Sequence, residues 1–147
     1  MASENSELSR RILDEVWNKR NMNAIDELVD PSLAFHDPMA PQAPSGIESY
    51  KMFVQANLAA FPDLSLTVES SISEGEMVAT RWTATGTHSG DLAGIPATGR
   101  KVTITGISFS RIVNGKFVES WGSWDRLGMF QQLGLALTQV EAVEQAA

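Results

Sequence analysis

The dipeptide Asn114-Gly115 constrains this chain more than any other feature. It stands between two runs of alternating apolar residues, Lys101 to Val113 and Lys116 to Asp125. Asn-Gly readily supplies the positive φ angles of a two-residue hairpin, so the spacing predicts two antiparallel strands joined by a tight turn. Strand side chains alternate between faces. Phe117, Glu119, Trp121, Ser123 and Asp125 then share one face, and Val118, Ser120, Gly122 and Trp124 share the other. In that register Ser110 faces Glu119 and Ser108 faces Trp121. Two acids, an indole and a hydroxyl on one face are more than packing needs, so this face is predicted to line a pocket. Val118 and Trp124 are left outside as candidates for a subunit contact, and a homodimer is expected.

The rest of the chain reads as helices first and strands second. Leu8, Ile12, Leu13, Val16 and Trp17 recur at helical spacing over residues 6–20. A short helix over 24–29 ends at Pro31, and 32–37 is extended. Pro38, Pro41 and Pro44 make a loop that neither a helix nor a central strand tolerates. Ser45 and Glu48 have capping-box spacing before a third helix, whose stripe is Ile47, Tyr50, Phe53, Val54, Leu58 and Phe61. Strands over 64–72, 77–88 and 101–113 follow, with a glycine-rich loop over 89–99. After Asp125, Leu127, Phe130, Leu133 and Leu137 predict a closing helix, and 138–147 is a weakly patterned tail. This order implies a single α+β domain over 1–147, with helices packed on one face of a curved antiparallel sheet.

Several function classes are disfavoured. The net charge is −7, and no basic stripe for nucleic acid is present. The chain has no cysteine, which excludes thiolate metal sites and cysteine nucleophiles. No apolar run reaches the ~20 residues of a membrane helix. The start, Met1-Ala2-Ser3-Glu4-Asn5, lacks the basic and apolar regions of a signal peptide, so a cytoplasmic protein is expected.

The run from Arg81 to Gly90, then Leu92 to Val102, then Asn114 to Trp121 followed by Asp125 and Gln132-Leu133-Gly134, resembles the SnoaL-like polyketide cyclases of the NTF2-like superfamily. The resemblance spans nearly the whole chain. It implies a cone-shaped α+β fold with a deep pocket between sheet and helices. It implies ring closure on a polyketide ester by intramolecular aldol addition, with no metal or organic cofactor. The family's pocket aspartate carries over onto Asp125. The family also has a pocket histidine, for which His36 and His88 are the available residues.

Asp125 has two readings, a general base or the N-cap of the helix it precedes. His36 ends a strand in front of the proline loop and could carry a proton. Asp37-Pro38 is similar to the base context of ketosteroid isomerases on the same fold, whose oxyanion hole uses a tyrosine and a protonated aspartate. The strand position resembling that aspartate is Ser108, and the sole tyrosine, Tyr50, lies on the third helix. Trp121, Glu119 and Phe53 are assigned to substrate contact. So are Phe109 or Ile107, as walls. Arg81 and Trp82 point to opposite faces, and Trp82 suits the packed one. His88, at the head of the glycine-rich loop, reads as loop-fixing or substrate-binding. Met22, Met39, Met52 and Met129 fill core or wall. His36 and Asp37 are neighbours in a strand and cannot chelate one ion together. Limonene epoxide hydrolases resemble the chain in fold only, because Arg81 has no aspartate two residues away. The predicted activity is therefore cofactor-free acid/base chemistry on an apolar, oxygenated small molecule. An isomerase or epoxide hydrolase on the same cone, or a non-catalytic ligand-binding module, is the alternative.

Overall fold

In the computed structural model Asn114 and Gly115 both adopt positive φ, 51° and 75°, and turn one long strand back on the next. Residues 2–38 and 41–135 are described; Met39, Leu137 and the predicted tail lie outside them. In chain order the elements are α1 (Ala2–Ile12), continued as a π-helix (Leu13–Asn18), α2 (Asn23–Leu28), β1 (Val29–His36), α3 (Ile47–Ala60), β2 (Ser65–Glu74), β3 (Met77–Thr87), β4 (Lys101–Val113), β5 (Lys116–Trp124) and α4 (Arg126–Gln132). The strands form one curved, open sheet in the order β1-β5-β4-β3-β2. Strands β2 to β5 are the expected antiparallel meander, and β1 joins β5 in parallel at the edge. Helices cover one face, and the core between them includes Val16, Ile25, Leu33, Val54, Val102 and Met129. This is the expected NTF2-like α+β cone.

Three local expectations fail for identifiable reasons. Pro31 does not separate a helix from a strand; β1 begins at Val29 and passes through it. An edge strand tolerates a missing donor, and Asp30 Oδ1 takes the N–H of Ser32 at 2.9 Å. The Ser45/Glu48 capping box does not form. Gly46 is the N-cap at φ 107°, where a side chain would be strained, and Glu48 instead lies 3.5 Å from Lys51 Nζ. The third concerns β5 and is the most consequential.

Its pairing with β4 matches Ile112 to Phe117 but Arg111 to Glu119, so Val118 is an extra residue, a β-bulge. Beyond it every side chain changes face relative to a regular strand. Phe117 now shares the inner face with Ser120, Gly122 and Trp124, all of which border the cavity. Glu119 and Ser123 turn outward, and Trp121 stands at the rim. Ser110 faces Ser120 and Ser108 faces Gly122, one residue off the expected register. Trp124 points inward, so it cannot contribute to a subunit contact across the outer face.

Candidate active site

The inner face and the helices enclose a cavity of about 140 Å³. Its walls follow from the periodicity. The π-helix turns Leu13 and Trp17 inward, α3 supplies Tyr50 and Phe53, and the strands supply Leu66, Ala84, Ile104 and Phe117. Phe53 packs edge-on to Trp17 at 6.0 Å and against Phe35 at 5.4 Å. Such walls exclude water and strengthen any charge interaction within.

Against this apolar background the polar groups are few. Asp37 is the one charged residue among the described lining residues. It follows the His36–Trp121 pair that ends the β1–β5 ladder, so it lies beside Gly122. Gly122 is paired on its other side with Ser108. Asp37 and Ser108 therefore flank a residue with no side chain, roughly two strand spacings, or ~10 Å, apart. A Cβ at Gly122 would meet only Phe35 Cζ, at 3.8 Å, leaving a lane in which a ligand can lie on the backbone.

Two indoles orient two hydroxyls in the wall. Trp82 Nε1 donates to Ser108 Oγ at 3.1 Å. The Trp17 indole is likewise hydrogen-bonded to the Tyr50 hydroxyl. A hydroxyl whose oxygen already accepts an N–H can still donate its own hydrogen to a ligand. Burial pushes the Tyr50 hydroxyl up to about 12, against which the Trp17 hydrogen bond acts weakly. Tyr50 is thus a neutral donor at physiological pH. Ser110 and Ser120 share a hydrogen bond of 2.8 Å farther along the same face.

The predicted residues separate into three groups. Asp37, Trp82, Ser108, Phe53 and Met129 line the cavity, with Trp121 at its rim. His36, Glu119, Ile107 and Phe109 lie outside it. His36 Nε2 is 2.9 Å from Glu119 Oε2, and its ring stacks on Trp121 at 5.2 Å. Ile107 and Phe109 are 51% and 42% exposed, so neither is an inner wall. Met52, at 69% exposure, fills neither core nor wall. Asp125 and His88 are committed elsewhere. Asp125 caps α4, with Oδ1 accepting from Gly128 N at 2.9 Å. His88 is wholly buried at the neck of the glycine-rich loop, where its ring Nδ1 accepts from Thr98 N at 3.2 Å and its backbone N–H donates to Arg100 O at 2.9 Å. Arg81 is exposed and leaves the inner face to Trp82.

Tyr50 and Gly106 are the residues sequence reasoning missed. Tyr50 sat in a stripe that reads as ordinary helix packing, though a lone tyrosine among apolar residues carries a hydroxyl that needs a partner. Gly106 lies under the Trp82 indole, and a Cβ there would come within 2.3 Å of it. A glycine inside a long strand opposite a tryptophan is a sign of such close approach.

A family model described as SnoaL-like polyketide cyclase matches residues 7–133. None of the curated proteins compared matches the chain. Among solved structures, IdmH, a candidate polyketide cyclase from Streptomyces antibioticus, is 34% identical, with 89% of this chain and 99% of that one covered and a TM-score of 0.78. A candidate polyketide cyclase from Acidithiobacillus ferrooxidans is 30% identical, covers 91% and 96%, and has a TM-score of 0.80. AclR, a candidate hydroxylase from Streptomyces galilaeus, is 28% identical, covers 96% and 87%, and has a TM-score of 0.81.

Proposed function

Because the chain belongs to the SnoaL-like polyketide cyclase family, we propose that it is a cofactor-independent acid/base enzyme that closes a ring by intramolecular aldol addition, with Asp37 as its base. The observation that carries this is the position of Asp37 as the sole charged side chain among the described residues of an apolar cavity. Asp125, the aspartate implied by family resemblance, has its carboxylate engaged by the backbone of α4.

In this mechanism a β-keto ester enters the lane over Gly122. The Asp37 carboxylate removes the proton between its carbonyls. The O–H of Ser108 or Tyr50 donates to the developing enolate oxygen, and an oriented donor in a dry site stabilises that charge without reorganising. The enolate carbon then attacks a ketone of the same molecule, forming the C–C bond. The alkoxide so formed takes back the proton held by Asp37, which regenerates the base. His36, on the other side of the strand, is a route for proton exchange with solvent rather than a partner in the cavity. A ketosteroid-isomerase-like reaction would share the first step, and the neutral Tyr50 donor favours it as the second reading.

Turnover is read as ring closure of a β-keto ester bearing a tethered ketone. Asp37→Asn should lower kcat by roughly 100-fold or more, the usual contribution of a positioned base. Asp125→Asn should retain most activity, since Asn caps helices nearly as well as Asp. Full activity of a folded Asp37→Asn protein would overturn the assignment.

A further inference from the structure

Ring closure develops charge on two oxygens in turn, the enolate and then the alkoxide. Ser108 or Tyr50 answers for the first. The Ser110–Ser120 pair is placed to serve the second. Both residues line the cavity, and their hydroxyl oxygens lie 2.8 Å apart. They meet because of the Val118 bulge, which sets Ser120 rather than Glu119 opposite Ser110.

Two hydroxyls carry two hydrogens, and the bond between them uses one. The other O–H has no acceptor among the described residues. Its neighbours decide where it can point. Val78 stands beside Ser110 on β3, and Phe35 stands beside Ser120 on β1. The next pair toward the turn, Ile112 and Phe117, is buried and apolar. The next pair the other way is Ser108 and Gly122. Hydrocarbon therefore walls the spare hydrogen on three sides and leaves it the cavity and the lane over Gly122. A buried donor left without a partner is costly, so this one favours a ligand that brings an acceptor. The Ser9 hydroxyl, also in the lining, differs. It bonds Thr80 at 2.7 Å, and Thr80 bonds Ser71 at 3.2 Å, so the spare hydrogen of that chain can leave at the part-exposed Ser71.

We infer that the Ser110–Ser120 pair is a second oxygen-binding site in the cavity, which holds the ketone that the enolate attacks. This rests on the ring closure proposed above. Ser108 and Ser110 are two residues apart on one face of β4, roughly 7 Å, a span that two oxygens of one ring-sized molecule can bridge. As the enolate carbon forms the C–C bond, the π pair of the ketone moves onto its oxygen. The spare O–H hydrogen-bonds that oxygen and keeps its proton, and the proton held by Asp37 then completes the alcohol. Ser108 and the pair thus fix the two reacting carbonyls separately, so the order of groups on the substrate decides which carbon is attacked.

The test has a binding arm and a kinetic arm, both on the full chain. At about 140 Å³ the cavity is close to the ~150 Å³ that accepts one benzene, so single-ring ketones serve as probes. Dissociation constants of 1,4-cyclohexanedione and cyclohexanone are measured calorimetrically. The wild type should prefer the dione roughly fivefold, the worth of one further hydrogen bond. The double variant Ser110→Ala/Ser120→Ala should lose that preference. Each single variant leaves one O–H facing the lane and should keep most of it. A pair that only satisfies itself gives the reverse order: each single variant strands a buried hydroxyl and is destabilised, the double variant recovers, and the preference does not move. That pattern overturns the inference. In heavy water, with a β-keto ester bearing a tethered ketone, the double variant should still exchange the hydrogen between the carbonyls and should close the ring at least ~10-fold more slowly, since one oxyanion donor is lost. Asp37→Asn should lose exchange and closure together. Unslowed closure in the double variant sinks the second site and leaves the base standing. Undiminished exchange in Asp37→Asn sinks the base, while the dione preference, which needs no proton removal, still reports on the serine pair.

Discussion

Tyr50 offers a direct measure of how dry the cavity is. Its hydroxyl is pushed from the ordinary 10 up to about 12, chiefly by burial. The group is neutral when protonated, so the fold binds that proton more tightly than the unfolded chain does. The associated stability is complete below pH 10 and is lost as the pH rises from 10 through 12. A difference of two units is worth about 3 kcal/mol at ~1.4 kcal/mol per unit. Because Tyr50 is the only tyrosine in the chain, tyrosinate difference absorbance reports this one hydroxyl. The titration midpoint should lie near 12 while the protein remains folded. Lys19 and Lys51 are also raised, by hydrogen bonds to Asp14 and Asp26 respectively, and add their own alkaline losses. The comparison is therefore between wild type and Tyr50→Phe in urea melts at pH 9 and pH 11, where the variant should lose less stability. A midpoint near 10 in the folded protein would mean that the ring is solvated. That result would refute both the water-excluding wall and the neutral donor drawn from it.

Two further outcomes follow from the geometry. Gly106→Ala places a methyl within 2.3 Å of the Trp82 ring and 2.9 Å of Trp124 Cβ, so it should destabilise the fold by about 1–3 kcal/mol, as overpacking does; it should also break the Trp82–Ser108 bond, read as a changed tryptophan emission and a fall in kcat. Asp63 accepts from the Thr87 N–H and hydroxyl at 2.7 and 2.8 Å, which holds its carboxyl below the usual range. Its contribution is present above the unfolded carboxylate pKa and is lost as the pH falls through the folded one. Asp63→Asn should therefore flatten the acid limb of the stability curve measured by thermal melts, and an unaltered limb would show the clasp to be without effect.

Much of the fold was legible because local chemistry and periodicity agree over long runs. The Asn-Gly turn, the Leu8 to Trp17 stripe and the three long strands appear as read. The parallel placement of β1 was not legible, since nothing in Val29 to His36 specifies which edge it joins. Capping at α3 was misread because Ser45 and Glu48 satisfied a spacing rule while Gly46 satisfied a steric one. Residue 46 sits at φ 107° with its N–H donated to Leu33 O at 2.7 Å, a backbone conformation that favours glycine, and the neighbouring strand decided the outcome. Asp125 carried two readings that spacing could not separate, and the bond to Gly128 N answers only for the cap.

The bulge at Val118 shows where sequence reading of a strand must stop. In β5 both alternate sets contain an aromatic and a hydroxyl, so hydrophobic pattern selects no face once one residue is inserted. With regular alternation, Glu119 and Trp121 would enter the cavity and Ser120 and Gly122 would leave it. The cavity would then hold a carboxylate beside Ser108 and lose its lane past Gly122. One unpaired residue instead exchanges these sets, leaving Asp37 as the charged lining group and putting Trp121 at the rim with His36 and Phe109. Under the proposed function, the identity of the base and the route by which a substrate reaches it thus depend on the same insertion. Bulges concentrate beside active sites for this reason: they re-aim side chains without altering the strand order.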